Sequence, residues 1–370
     1  MKLTIARADL LRSLNHVQSV VERRNTIPIL SNVLMKAEDG MLSLSTTDMD
    51  MEISESVAAT VTAGGATTAP ANTLHDIVRK LPEGDVVMEL NAEGTQMTVK
   101  SGRSQFKLSC LPTADFPEIG AGELPVSFAL PAADLRSIID RTKFAMSTEE
   151  TRYYLNGIYL HHAETEGVQV LRAVATDGHR LALFEMPLPD GAKDMPGIII
   201  PRKCIGELRK LTDEAADTIT ISLSEAKIRF AFDHIVMTSK LIDGTFPDYN
   251  RVIPEGNDKI VEIDPKVFSS AIDRVATISD GKSRAIKMAL TGGLMTLSAN
   301  SAESGSATED LEVSGEMDIE IGFNAKYLLD ITSQIESEGC RIKFADPSSP
   351  TIIQASNDNS SLYVLMPLRV

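Results

Sequence analysis

Residues 131–146 read PAADLRSIIDRTKFAM, and the same plan recurs in ARADLLRSLNHVQSVV at residues 6–21 and DPKVFSSAIDRVATIS at residues 264–279. Each segment places apolar residues three and four positions apart, which predicts an amphipathic helix. A short apolar strand precedes each one, at residues 2–5, 126–130 and 260–263. This repetition predicts one structural unit that is used three times along the chain.

A second type of helix is also predicted three times, in PANTLHDIVRKL at residues 70–81, PRKCIGELRKL at 201–211 and NAKYLLDITSQI at 324–335. Pro or Asn at the first position is typical of a helix start. Alternating strand patterns fill the segments between the helices, and each passes through a polar corner, at Thr47–Asp48, Thr176–Asp177 and Ala299–Asn300. We therefore predict an α+β fold in which each unit packs two helices on antiparallel sheets.

The boundaries between units are expected near residues 119–124 and 254–258, which are short and rich in Gly, Pro or acidic residues. The predicted domains are residues 1–122, 123–255 and 256–370. The three first helices start 125 and then 133 residues apart, a spacing too long for a solenoid repeat. The alternative, an unrelated α+β protein with helices at intervals, leaves the repeated strand order unexplained.

Composition limits the class of protein and its location. The formal charge of the 370-residue chain is −16, which by itself argues against binding to phosphates. Neither a signal peptide nor a membrane helix is predicted. The three widely spaced cysteines, Cys110, Cys204 and Cys340, are expected to be reduced and buried in a cytoplasmic protein.

The charge is unevenly distributed between the predicted helices and the rest of the chain. The helices hold 17 Lys and Arg against 11 Asp and Glu, whereas the remainder holds 19 against 41. Ordinary solvated helix faces are one interpretation of this difference. The other is that the helices all face a polyanion while the acidic sheets face solvent. The segments counted are residues 6–24, 70–81, 131–145, 201–212, 264–282 and 324–337.

A ring with helices lining the hole would satisfy the second interpretation, and helix dimensions test it. A helix is about 10 Å wide, so six around a circle leave a bore of roughly 9 Å, which excludes a duplex. Twelve leave roughly 28 Å, which admits a duplex with a layer of water. One chain supplies six helices, so a ring around DNA needs two chains, and a closed head-to-tail arrangement would also pair sheet edges.

Several longer strings are more specific than the repeat. They are RYYLNGIYL (152–160), ATDGHRLA (175–182), GTFPDYNRVIP (244–254) and YVLMPLRV (363–370), with PILSNVL (28–34), SGRSQF (101–106) and LPTADFP (111–117) in the first domain. They resemble those of the bacterial DNA polymerase III β sliding clamp family, the processivity subunits of the replicative polymerase. The resemblance covers the whole chain and implies a head-to-tail homodimeric ring that encircles double-stranded DNA, without catalysis, metal, other cofactors or a membrane.

The resemblance also implies a groove between the second and third domains that binds short peptides, often with a Gln and a Leu-Phe pair. The implied partners are the replicative polymerase, the clamp loader, other polymerases and mismatch-repair or ligase-type proteins. Pro350 departs from the family's Ser, and from residue types alone MPLRV could equally be a final core strand. The matching positions are Leu155, Thr176, Gly178, His179, Arg180, Leu181, Pro247, Arg251, Val252, Pro350, Val364, Leu365, Met366, Pro367, Leu368 and Arg369.

DNA contacts are implied by the resemblance at Arg24, Arg103, Tyr153 and Tyr154, through phosphate bonds or base stacking. For Arg103 the alternative is a contact with the neighbouring subunit. Glu149 stands where the family has Gln, and a carboxylate there is expected to repel phosphate.

Dimer contacts are implied at Phe106 in the first domain and at Thr277 and Ile278 in the third. Thr277 is smaller and more polar than the family's residue. The family's acidic cluster is present in part, as Glu303, Glu309 and Asp310.

Enzymatic alternatives rest on weaker patterns. Asp48, Asp50 and Glu52 would share one face of a strand, as a two-metal nuclease requires. Met49, Met51 and Ile53 would fill the other face, which is the pattern of a half-buried strand. Asp177 beside His179 suggests an acid–base pair, but no nucleophile motif or Walker loop accompanies it. A repeat scaffold that binds proteins and is not threaded by DNA is the remaining alternative.

Overall fold

The computed structural model describes residues 1–22, 26–120, 122–215, 217–279 and 284–369. Each of the six predicted helices is confirmed, and each is slightly shorter than its sequence pattern. The helices of the described residues are α1 Arg7–Val17, α2 Ala71–Lys80, α3 Ala132–Thr142, α4 Arg202–Leu211, α5 Pro265–Ala276 and α6 Ala325–Thr332.

Side-chain caps explain where two of these helices begin. The Asp264 carboxylate accepts hydrogen bonds from the N–H groups of Lys266 (2.7 Å) and Val267 (3.2 Å), at the start of α5. The Asn324 side chain accepts a bond from the Lys326 N–H at 2.9 Å, at the start of α6. None of the described helices is long and apolar enough to cross a membrane.

The strands are numbered in chain order. The first ten are β1 Lys2–Ala6, β2 Asn32–Glu38, β3 Met41–Thr47, β4 Met51–Ala58, β5 Thr60–Ala63, β6 Gly65–Pro70, β7 Asp85–Leu90, β8 Gln96–Ser101, β9 Ser104–Ser109 and β10 Val126–Pro131. The next seven are β11 Gly157–Thr165, β12 Val168–Thr176, β13 Arg180–Pro187, β14 Ile198–Pro201, β15 Thr218–Leu223, β16 Lys227–Phe232 and β17 Ile235–Lys240. The last eight are β18 Lys259–Ile263, β19 Ala285–Thr291, β20 Leu294–Ser301, β21 Gly305–Glu312, β22 Ile319–Asn324, β23 Cys340–Phe344, β24 Thr351–Ala355 and β25 Ser361–Leu365.

Two compact units divide the chain. Unit 1 consists of Met1–Leu135, Pro189–Pro196 and Lys203–Leu241, and unit 2 of Arg136–Leu188, Gly197–Arg202 and Ile242–Val370. The middle predicted domain is thus shared between the two units. Its strands β10 and β15–β17 belong to a sheet with strands of the first domain, whereas β11–β14 belong to a sheet with strands of the third.

Unit 1 contains a five-stranded sheet, β5-β1-β7-β8-β9, and an eight-stranded sheet, β10-β15-β16-β17-β4-β3-β2-β6. All neighbouring strands are antiparallel. We call the pairing of β4 with β17 the first junction. Helix α1 buries Leu10 and Leu14 against α2 and the strands beneath it.

Unit 2 contains an eight-stranded sheet, β14-β11-β12-β13-β25-β24-β23-β18, and a four-stranded sheet, β21-β20-β19-β22. These neighbours are also antiparallel. We call the pairing of β13 with β25 the second junction. It repeats the first junction, since each joins the fourth strand of one repeat to the last strand of the next.

Two of the predicted corners are confirmed, since β3 ends at Thr47 and β12 at Thr176. Asp48 and Asp50 lie in a turn before β4, where the Asp48 carboxylate accepts bonds from the N–H groups of Asp50 (2.9 Å) and Met51 (2.7 Å). Met49 has φ of +77° there and is exposed, so the enzymatic alternative, in which three acids share one strand face, is wrong. The third corner, predicted at Ala299–Asn300, lies later, after β20 ends at Ser301.

The three cysteines are free and buried, as expected. Burial raises the pKa of the Cys204 and Cys340 thiols to about 12.

Candidate functional site

The corner between β12 and β13 is built by its own side chains. The Asp177 carboxylate accepts hydrogen bonds from the N–H groups of His179 (2.9 Å) and Arg180 (3.0 Å). The Thr176 hydroxyl donates to the Arg180 carbonyl at 2.7 Å and accepts from the Gly178 N–H at 3.1 Å. Gly178 has φ of +88°, a conformation that glycine adopts without strain. These contacts make TDGHR a tight turn.

The Arg180 side chain is enclosed by the protein and is 7% exposed. Its guanidinium carbon lies 4.3 Å from the centroid of the Tyr327 ring and 5.2 Å from that of Phe144. Its nitrogens lie 3.1 Å from Asp177 Oδ2 and 2.5 Å from Asp330 Oδ2. A planar cation between two rings and two carboxylates ties the corner to α6.

Tyr327 was not predicted as a site residue. Its ring also stacks near His179, with centroids 6.3 Å apart. The only signal in the sequence was an aromatic residue on an otherwise ordinary amphipathic helix. Such a residue is more often part of a core than of a site, so sequence patterns alone do not single it out.

The C-terminal strand β25 lies beside the corner. Leu181 pairs with Val364, and the Met366 N–H donates to the His179 carbonyl at 2.9 Å. The strand ends at Leu365, so residues 366–369 leave the sheet and do not continue it as a core strand.

A cleft of about 550 Å³ lies beside these last residues, and we call it the C-terminal cleft. Pro367, Leu368 and Arg369, which the resemblance assigns to the groove, form one side of it. The other lining residues are Glu320, Ile321, Gly322, Pro347 and Ser348.

An apolar cluster contains three of the residues that the resemblance assigns to the groove. Leu155, Leu181 and Val364 are between 2% and 4% exposed and pack in one cluster with Phe246 and Tyr249. These three side chains are therefore largely buried within the protein.

Residues 244–254 are held to this cluster by Tyr249. Its hydroxyl accepts a hydrogen bond from Arg172 Nη1 at 2.8 Å and lies 2.9 Å from His161 Nε2. The Tyr159 ring stacks on Phe246 with centroids 4.9 Å apart, and on His161 at 4.5 Å. Burial lowers the pKa of His161, so this imidazole is neutral near pH 7.

The same segment presents Pro247, Arg251 and Val252 to solvent. Val252 is 42% exposed, and Arg251 Nε lies 2.9 Å from an Asp248 oxygen. The Pro350 carbonyl accepts a hydrogen bond from the Asn257 side chain at 2.9 Å.

The two tyrosines assigned to DNA lie in the short 3₁₀ segment Glu150–Leu155. Their rings meet edge to face with centroids 5.7 Å apart, and Tyr153 is 52% exposed. Glu149 accepts two hydrogen bonds from Arg152, at 2.8 and 2.7 Å, and these lower the pKa of the carboxyl. Glu149, which stands where the family has Gln, is thus paired with the Arg152 guanidinium, and the pair has no net charge.

Arg103 lies on the exposed turn between β8 and β9, next to Gly102, which has φ of +56°. Arg24 lies outside the described residues.

The residues assigned to the dimer lie on or near two sheet edges. Phe106 is 37% exposed on β9, which ends one sheet, and β21 ends another. Thr277 is exposed and Ile278 is half-buried just after α5. On β21, Glu309 accepts a hydrogen bond of 3.0 Å from Arg274.

The rest of the acidic cluster is less tightly held. The Asp310 carboxylate accepts a hydrogen bond from the Thr296 hydroxyl at 2.7 Å. Glu303 lies in the turn before β21, where its N–H donates to the Ser301 hydroxyl at 3.2 Å.

Three sequence profiles match nearly the whole chain in succession. They describe the N-terminal, central and C-terminal domains of the DNA polymerase III beta subunit, over residues 1–120, 129–248 and 250–369. The chain belongs to this family. A beta sliding clamp from Caulobacter vibrioides is 52% identical over 372 residues, with all of both chains covered.

Solved structures of the family match the fold as closely. A Caulobacter crescentus beta sliding clamp with bound PEG has a TM-score of 0.98 at 52% identity, covering 100% of this chain and 99% of that one. A Bartonella birtlesii sliding clamp bound to griselimycin has a TM-score of 0.97 at 48% identity, covering 100% of both. The predicted α+β clamp fold is confirmed, and the chain is a non-catalytic sliding clamp for DNA replication.

Proposed function

We propose that two copies of this chain close head to tail into a ring around duplex DNA, which holds the replicative polymerase on its template. The observation that carries this proposal is a pair of open edges. The fourth strand of each of the first two repeats, β4 and β13, is paired with the last strand of the next repeat. In the described residues, the equivalent β21 and β9 have no such partner.

The two closed junctions predict how the third would pair. Glu52 lies opposite Thr238 in the first junction, and Leu181 lies opposite Val364 in the second. When the repeats are aligned through their strand registers, the equivalent residues are Ser306 on β21 and Lys107 on β9. We therefore expect Ser306 of one copy to lie opposite Lys107 of the other.

This register also brings opposite charges together. Arg103 would lie opposite Asp310, with Glu309 beside them, and Phe106 would lie opposite Ala307. Cross-strand ion pairs and apolar contacts each contribute roughly 0.2–1 kcal/mol. The two edges therefore have complementary charges, but the ion pairs by themselves would stabilise the dimer only modestly. Thr277 and Ile278, which follow α5, are proposed to add to the same interface.

Cysteine cross-linking tests the ring and its register together. Gln105→Cys and Thr308→Cys in one chain would place two thiols on directly opposed residues, within the Cα distance that a disulfide needs. We expect a covalent species of twice 40.1 kDa under oxidation. The matched control, Lys107→Cys with Thr308→Cys, offsets the register by two residues and should cross-link far less. Equal yields, or a strict monomer, would contradict the proposed pairing.

DNA contact is proposed at Arg24, Arg103, Tyr153 and Tyr154. The contacts should be weak, salt-sensitive and independent of sequence, because a clamp is held by topology. Glu149→Gln would free Arg152 for phosphate, so we expect a steeper fall of DNA affinity with salt. Glu150→Gln is the matched control, and the same salt dependence in both variants would refute a role for Glu149.

Partner proteins are proposed to dock through short peptides with a Gln and a Leu-Phe pair, in the groove formed by Met366 and its neighbours. The proposed partners are the replicative polymerase, the clamp loader, other polymerases and mismatch-repair or ligase-type proteins. Three features of unit 2 support this proposal. They are residues 244–254, which Tyr249 holds to the apolar cluster, the TDGHR corner and the C-terminal cleft. We also propose a cytoplasmic location, and domains of residues 1–122, 123–255 and 256–370.

A further inference from the structure

Unit 1 contains a cleft that the proposed groove does not use, and we call it the middle-repeat cleft. Its volume is about 780 Å³, larger than the C-terminal cleft. Met195 is 7% exposed at its floor. The lining residues are Glu123, Pro125, Val126, Asp194, Met195, Pro196, Ser224, Glu225 and Ala226.

The middle-repeat cleft shares one element with the C-terminal cleft. Ser224–Ala226 form the turn between β15 and β16, and Pro347–Ser348 lie in the equivalent turn between β23 and β24. The other walls differ, because Glu123–Val126 lead into β10 in one cleft, whereas Pro367–Arg369 follow β25 in the other. The middle-repeat cleft is therefore a site of its own and not a copy of the C-terminal cleft.

The wall of the middle-repeat cleft is packed closely against β10. Gly191 has φ of +91°, and a Cβ there would lie 2.5 Å from the Ser127 carbonyl oxygen. The next residue, Ala192, is fully buried, and its carbonyl accepts a hydrogen bond from the Met195 N–H at 3.1 Å. Met195 is thus held in place by the fold of residues 189–196, and the cleft is preformed.

The rim is negative. The carboxylates of Glu123, Asp194 and Glu225 are exposed and make no ion pair with any residue that the structure describes. Lys193 and Lys227 are neighbours of these residues in sequence, but neither is among the residues that line the cleft. An apolar floor under unpaired carboxylates favours a ligand with an apolar side chain and positive charge beside it.

We propose that the middle-repeat cleft is a second docking site, for a linear segment of a partner protein in which a large apolar residue is flanked by Lys or Arg. The apolar side chain contacts Met195, Pro125 and Pro196, and the cations face the three rim carboxylates. The C-terminal cleft instead carries Arg369 opposite Glu320, so its rim is of mixed charge. The two sites would then select different peptides and could be occupied together.

Methionine methyl NMR tests this on the full-length protein, because each cleft has its own reporter. The chain has 15 methionines, among them Met195 in the middle-repeat cleft and Met366 at the groove. Met195→Leu and Met366→Leu assign the two signals. The probe is a capped peptide with Leu-Phe between two Lys pairs, and the control peptide has Glu in place of each Lys.

We expect the Lys peptide to shift the Met195 signal and the Glu peptide to leave it unchanged. Asp194→Lys with Glu225→Lys should weaken the Met195 response about fivefold while Met366 responds as before, which also shows that the variant is folded. A Lys peptide that moves only Met366, or a Met195 response that survives the charge change, would overturn the proposal. Failure of the groove would show separately, as a Met366 signal that no Gln/Leu-Phe peptide moves.

Discussion

The two closed junctions share a backbone arrangement but differ in chemistry. At three equivalent positions the second junction has Leu181, Val364 and Met366, and the first has Glu52, Thr238 and Lys240. Both are crossed by a segment with a Phe-Pro pair, Phe246–Pro247 in unit 2 and Phe116–Pro117 in unit 1.

Two polar residues of the first junction have partners outside the strand pair itself. Glu52 accepts a hydrogen bond from the Ile119 N–H at 2.9 Å, and Lys240 Nζ lies 3.0 Å from Asp50 Oδ1. Burial raises the pKa of Glu52, although the Ile119 bond opposes that shift. We infer that only the second junction suits the proposed peptide groove, because its side chains at these positions are apolar.

A second contrast lies at the tenth residue of the first helix in each repeat. His16 in unit 1 lies 2.6 Å from Glu55 and 3.1 Å from Glu214, while its equivalent in unit 2, Arg141, lies over the Phe184 ring at 5.2 Å. Phe184 and Glu55 are themselves equivalent. The same contact between helix and strand is thus a buried ion pair in one unit and a cation–π contact in the other.

The largest effect is expected from breaking the buried pair of unit 1. Glu55→Ala leaves the His16 charge without its nearest partner, so the free energy of unfolding should fall by about 3 kcal/mol. Chemical denaturation measures it. The control is Glu55→Leu with His16→Leu, which removes both charges and should recover most of the loss. A double variant as unstable as Glu55→Ala would show that the pair itself is not responsible.

The next effect tests the groove by exchanging residues between junctions. Met366→Lys introduces the residue of the first junction into the second, and a desolvated ammonium should weaken binding of a Gln/Leu-Phe peptide about 100-fold. Fluorescence anisotropy with a labelled peptide measures this. Lys240→Met, the reverse exchange in unit 1, should leave the affinity unchanged. Equal affinities for both variants would refute the assignment of the groove to unit 2.

A smaller effect is expected at the anchor of residues 244–254. Tyr249→Phe leaves Arg172 and His161 each without one partner, so peptide affinity should fall roughly fivefold, or about 1 kcal/mol. Ring packing against Phe246 is kept, so dimer mass should not change. Phe116→Tyr, at the equivalent segment of unit 1, is the control. Unaltered affinity for Tyr249→Phe would show that the hydroxyl does not position the groove.

The smallest effect is a pH dependence confined to unit 1. Burial disfavours the charged form of His16, but Glu55 and Glu214 outweigh this and raise its pKa above the ordinary 6.5. The stabilisation is therefore complete below pH 6.5 and is lost as pH rises through the folded value. Hydrogen exchange of α1, corrected for intrinsic rates, should lose protection severalfold toward pH 9, and His16→Gln should abolish the change. An identical loss in both proteins would contradict it.

Much of this fold could be predicted from the sequence because its signals are local. The spacing of apolar residues in PAADLRSIIDRT and its two counterparts locates the helices. The corner predicted at Thr47–Asp48 is also local, because the Asp48 side chain bonds the backbone two and three residues on. The nuclease alternative failed there because alternating Asp and Met imitate a strand.

The site was less predictable because its contacts span long distances in sequence. Arg180 meets Phe144 and Tyr327, and Tyr249 meets His161 and Arg172, and no periodicity signals such pairs. The groove residues came from family resemblance alone, and so did the tyrosines assigned to DNA.

The proposed ring is linked to DNA by topology, and retention on DNA of different shape tests this link most directly. Clamps loaded onto nicked circular DNA would be washed in high salt and then treated with an enzyme that cuts the circle once. We predict that the protein stays bound to the intact circle and is released when the DNA becomes linear. Equal retention on linear and circular DNA would contradict the ring.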